Sequence, residues 1–102
     1  MRLALVLLAA LAACGPRTDP AVAQGQRLAE ERCAACHAVG RTGASPRPPA
    51  PAFRDLHRRY PVDQLAEALA EGIVTGRPEM PEYRFDAAEV DGFIAYLRSL
   101  ER

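Results

Sequence analysis

Cys33, Ala34, Ala35, Cys36 and His37 are the residues whose types and spacing most clearly imply a chemistry. Two thiols three positions apart on a helix share a face. Each can form a thioether to one vinyl group of a haem, and the histidine that follows then lies under the iron as its proximal ligand. A covalent haem means electron transfer or haem-based ligand chemistry. Other uses of the same residues fit less well. A thioredoxin-like C-x-x-C needs a βαβ context, and no alternating strand-like run surrounds this one. A zinc site would want a second ligand pair, but only His57 remains, among Arg54, Arg58 and Arg59. A Cys33–Cys36 disulfide would leave His37 without a role.

Met80 is the candidate for the second axial position. It is the only methionine besides Met1, and it stands in a proline-framed loop, Pro78-Glu79-Met80-Pro81. Methionine ordinarily fills gaps on an apolar helix face, and such a loop is a poor place for that. As sixth ligand its thioether would raise the iron's potential relative to a second imidazole. The flanking prolines would help hold the sulfur in place. His57 is the competitor. It falls one residue off a Phe53/Leu56/Tyr60 stripe in a basic stretch and reads as a solvated surface histidine.

These groups need elements to position them. Asp19-Pro20 reads as a helix start, with Asp at the cap and Pro at the first helical position. Residues 20–36 are good helix formers and Gly40 is a plausible stop, so the C-x-x-C-H motif is expected at the C-terminal end of a first helix. Residues 41–52 carry Pro46, Pro48, Pro49 and Pro51. They read either as a flexible surface loop or as a stiff wrap around the proximal side of a haem. Phe53, Leu56 and Tyr60 suggest a short amphipathic helix. Pro61 opens another, with Leu65, Leu69 and Ile73 as its stripe and Gly72 marking its end. A second Gly/Pro-punctuated loop covers residues 74–84. The last helix is the best specified: Asp86 and Glu89 match a capping box, Phe85 and Val90 a hydrophobic staple, and Val90, Phe93, Ile94 and Leu97 one core face. With no strand pattern and no repeat, the expected class is all-α with two long loops.

A length of 102 residues allows one small domain, which gains from a staple such as a covalent haem. Thirteen arginines, no lysine and thirteen acidic residues give no basic excess, which argues against nucleic acid. Leu3 to Ala13 is an unbroken apolar run, too short to span a bilayer but suited to the h-region of a secretory signal. It ends in Leu11-Ala12-Ala13-Cys14, which resembles the lipobox of bacterial lipoproteins. That resemblance implies cleavage before Cys14 and a diacylglycerol on its thiol. Residues 1–13 are then the signal peptide, 14–23 a lipid-anchored tether and 24–102 the folded domain. The alternative is ordinary cleavage after Ala21-Val22-Ala23, giving a soluble periplasmic protein.

Taken together, residues 24–100 resemble a small bacterial class I cytochrome c. The resemblance rests on Cys33-x-x-Cys36-His37 after an N-terminal helix, Pro51-x-Phe53, Met80-Pro81, and Phe93-Ile94-Ala95-Tyr96-Leu97 in the last helix. It implies a cytochrome c fold of three main helices plus short ones around one covalently bound haem c, with one haem edge exposed. The haem-binding set would be Cys33, Cys36, His37, Pro51, Phe53 and Met80, with His37 and Met80 on the iron. Pro51 matches the proline whose carbonyl accepts a bond from the proximal histidine, although Pro49 also qualifies. Gly25 would let the first helix cross the last closely, near Phe93 and Tyr96. Ala29 departs from the family pattern, in which many relatives have an aromatic. The function implied is one-electron carriage in the bacterial cell envelope by a monomer that docks transiently on redox proteins and is held to a membrane by lipid on Cys14. Arg41, Arg47, Arg77 and Arg84, with Glu79 and Glu82, could frame the haem edge. The alternatives are a haem enzyme or gas-binding protein in which Met80 dissociates, or the haem subunit of a larger oxidoreductase. The sequence offers no convincing distal acid–base residue for an enzyme.

Overall fold

A computed structural model describes residues 19–102. The expected signal peptide and the lipid attachment at Cys14 lie outside the described residues. Helix α1 (Pro20–Arg32) starts where its capping residues direct. Asp19 Oδ1 accepts from the Ala21 amide at 2.8 Å, and Pro20 occupies the first helical position, where no amide is needed. The expected boundary between tether and domain at residue 23 therefore falls inside α1. The helix ends well before Gly40: Cys33 is its C-cap, and the Cys33 amide makes the last helical bond, to Ala29 O at 2.9 Å, before the chain turns.

Residues Phe53–Arg58 form a short 3₁₀ helix. Its three-residue period aligns Phe53 with Leu56, and both are buried. Tyr60 lies beyond the helix end and is 40% exposed, yet it lines the same cavity as Phe53 and Leu56, so the three share a side without an α-helix. Pro61 precedes a 3₁₀ turn, Val62–Gln64, that runs directly into α2 (Leu65–Glu71). Leu65 and Leu69 face inward, and Gly72 ends α2 with φ +107°, a conformation natural to glycine. Just past it the Ile73 amide donates to Tyr83 O (3.0 Å) and the Phe85 amide to Leu69 O (2.8 Å), closing the base of the second loop.

Helix α3 (Ala87–Ser99) carries the capping box in full. The Glu89 amide donates to Asp86 Oδ1 (2.8 Å), and the Asp86 amide to Glu89 Oε1 (3.1 Å). The staple residues Phe85 and Val90 are both buried. The inner face of α3 is broader than periodicity indicated, adding Gly92, Tyr96 and the following Leu100 to the expected four. Helices α1 and α3 cross at Gly25, where a β-carbon would overlap the Gly92 carbonyl and lie 2.6 Å from Tyr96 Cβ. Ala29 is fully buried in the core. Phe93 stands at the centre of the core, edge-on to Phe53 (5.7 Å) and Phe85 (5.2 Å). Among the described residues there is no strand, and no helix is long and apolar enough to cross a membrane.

Candidate functional site

The C-x-x-C-H motif is a turn hung from the end of α1. The Cys33 carbonyl accepts two amides, from Cys36 at 3.2 Å and from His37 at 3.0 Å. The expectation that the two thiols project from a helical face is thus corrected: α1 stops at Arg32, and the tight turn after it brings both thiols to the same cavity. No disulfide joins them. Burial pushes the Cys33 thiol up to about 11, with the Arg32 guanidinium pulling the other way.

His37 is fixed from its far side. Its Nδ1 donates to Pro51 O at 2.7 Å, so Nε2 keeps its lone pair for another use. Of the two candidate prolines, Pro51 makes the bond, while Pro49 lines the cavity wall. Phe53 packs beside the imidazole with ring centroids 5.0 Å apart. The backbone that leads away from His37 is held at three points. Ala38 N donates to Ser45 Oγ (3.0 Å), Phe53 N to Ala38 O (2.9 Å) and the Tyr96 hydroxyl to Val39 O (2.5 Å). The proline-rich loop is therefore a wrap that leaves at His37 and returns to it at Pro51. Sequence reasoning did not pick out Ser45, since a single serine in a Gly/Pro-rich loop gives no pattern. Tyr96 entered only as a helix-packing residue.

A cavity of about 440 Å³ gathers these groups. Cys33, Cys36, His37, Pro51, Phe53 and Met80 all line it, and Leu56, Leu65, Leu69, Ile73 and Phe93 add apolar wall. Met80 is half-buried and reaches it from the second loop, on a turn closed by its own amide to Arg77 O (3.1 Å). His57 does not line the cavity. The 3₁₀ helix presents Phe53 and Leu56 inward, and His57 Nδ1 is buried without a hydrogen-bond partner.

The charged margin differs from expectation. Arg41 turns to the end of α3, donating to Ser99 O (2.6 Å) and Arg102 O (3.3 Å). Arg84 donates to Glu71 O at the end of α2 (3.2 Å). Both satisfy carbonyls left open at a helix C-terminus and do not frame the cavity. Glu82 lies over Gly72. Arg47, Arg77 and Glu79 do line the cavity, joined by Arg59, which no local pattern singles out. Arg32, also on the lining, is held by Glu89 (2.7 Å) and lies over the Phe85 ring (5.0 Å). Among the described residues, no three His, Cys, Asp or Glu side chains gather as a metal-ion site of their own.

A family model described as Cytochrome c matches residues 22–101. The chain belongs to the cytochrome c family. Neither the comparison with curated proteins nor that with solved structures returned a match. The helical architecture is that of an all-α cytochrome c fold. Membership implies a covalently bound haem c and electron carriage, since members of the family are generally carriers and not enzymes. The residues of this cytochrome fit such a group. They offer two unpaired thiols, an imidazole whose Nε2 is free, and an apolar-walled cavity shared by all three.

Proposed function

We propose that the chain is a one-electron carrier in which Cys33 and Cys36 hold haem c and His37 and Met80 are its axial ligands. The observation that carries this reading is that His37 and Met80, from the two separate loops, line one cavity together with both thiols. The haem supplies reversible one-electron chemistry. The Pro51 carbonyl fixes the imidazole's tautomer and orientation and raises its basicity toward a metal. The apolar wall lowers the polarity around the group, which together with a thioether ligand favours a higher potential. Arg47, Arg59, Arg77 and Glu79 at the cavity supply polar groups for a small, quickly released docking patch.

The carrier is proposed to sit at the periplasmic face of a bacterial membrane, anchored through lipid on Cys14. Processing there leaves α1 whole. Cleavage after Ala23 would remove the Asp19 cap and the first turn, including Val22, which packs on the core. With α1 starting at Pro20, only Gly15 to Asp19 remain as tether, a reach of about 15–20 Å when extended. Such a tether raises the effective concentration of the carrier toward membrane-bound partners.

The ferric holoprotein should show the weak long-wavelength sulfur-to-iron charge-transfer band, and Met80→Ala should abolish it. The ferrous protein should resist carbon monoxide near neutral pH. If His57→Ala removes the low-spin spectrum instead, the ligand assignment is wrong. Rapid carbon monoxide binding with substantial peroxide turnover would favour a haem enzyme.

A further inference from the structure

Residues 74–79 of the Met80 loop are all exposed, and their hydrogen bonds are local: Met80 N to Arg77 O (3.1 Å) and Arg77 N to Thr75 Oγ1 (3.3 Å). Among the described residues, one polar side-chain contact links this stretch to another part of the fold. It joins Glu79 Oε1 to Arg47 Nη1 at 3.9 Å. Arg47 has a fixed base, because its amide donates to Cys36 O at 3.1 Å. The ion pair therefore connects the residue before Met80 with the backbone of the second cysteine, and both its members line the cavity.

We propose that Glu79 and Arg47 are positioning residues that hold the Met80 loop shut over the iron. The inference rests on His37/Met80 ligation and adds what keeps the methionine in place. Both side chains are about half-exposed, 48% for Arg47 and 42% for Glu79, so the pair acts as a surface ion pair. Its effect on the open–closed equilibrium of the loop is at most about fivefold and is screened by salt. A bias of that size is enough to alter the rate at which the methionine leaves, because the loop tip has no buried anchor.

The test measures cyanide association with the ferric holoprotein near neutral pH, where the ligand enters as uncharged HCN and Met80 must leave first. At low ionic strength Glu79→Gln and Arg47→Gln should each raise the rate by about two- to fivefold. The double variant should be no faster than either single one, and the exchange Arg47→Glu with Glu79→Arg should return the rate toward wild type. Added NaCl should raise the wild-type rate to that of the variants and leave theirs unchanged. Additive single effects, a salt-independent wild-type rate, or a Glu79→Gln rate equal to wild type would each overturn the inter-loop pairing while leaving ligation intact. Absence of the long-wavelength band from the wild-type protein would overturn the ligation reading, and the inference with it.

Discussion

Gly25 of α1 and Gly92 of α3 meet backbone to backbone, with no room for a β-carbon on Gly25. The crossing fixes how far the end of α1, and hence Cys33, stands from the α3 face that carries Phe93 and Tyr96. A side chain on Gly25 would push apart the elements that define the cavity.

Gly25→Ala should therefore destabilise the holoprotein by about 1–3 kcal/mol despite a gain in helix propensity of about 1 kcal/mol. Gly92→Ala should cost less. Its β-carbon would approach Ala21 O and Gln24 Oε1 at 3.0 Å, and the glutamine can swing aside. Denaturant midpoints of the two variants give the comparison, and equal losses would contradict it.

Haem attachment should be covalent through both thiols. Denaturing mass spectrometry after co-expression with a cytochrome maturation system should show one added haem. Cys33→Ser or Cys36→Ser should each leave a single thioether. Haem that extracts from the wild-type protein into acidified organic solvent would contradict the assignment.

Tyr96 links alkaline stability to the proximal segment. Burial raises its pKa above the ordinary 10.0, the Glu30 carboxylate raises it further, and Arg41 opposes both. The neutral phenol donates to Val39 O, which a phenolate cannot do. The folded state thus holds the proton more tightly than the unfolded chain. The stability that follows is fully present below pH 10 and is lost as pH rises through the raised value. The midpoint for wild type should fall more steeply above pH 10 than that for Tyr96→Phe. Near neutral pH the substitution should cost about 1–3 kcal/mol, because Val39 O loses its donor. Tyr60, also raised by burial, is common to both proteins and cancels in the difference.

Lipid on Cys14 predicts that the wild-type protein fractionates with membranes, since two or more acyl chains anchor stably where one is marginal. Cys14→Ser should block the processing. A soluble wild-type protein beginning at Gln24 would refute the anchor.

Local signals were legible in the sequence because they act over one turn of chain. The Asp19-Pro20 start, the Asp86/Glu89 box and the inward face of α3 depend on neighbours one to four residues apart, as does the C-x-x-C-H spacing itself. Where α1 ends was not legible. Residues 33–36 have helical propensity, but the turn that carries His37 under Pro51 overrides it. The 3₁₀ form of Phe53–Arg58, which leaves Tyr60 beyond the helix end, is likewise a tertiary outcome.

The sequence by itself determined the cofactor chemistry, the all-α class and the candidate ligands, because thiol, imidazole and thioether are properties of residue types. Only the tertiary structure decided which proline carbonyl holds His37, that Met80 and not His57 reaches the cavity, and which arginines stand beside it. Those choices join groups from about ten to sixty residues apart. Arg41, for example, is taken from the cavity margin by the open carbonyls at the end of α3. Such pairings depend on where two chain segments come to rest together, and no local spacing encodes that.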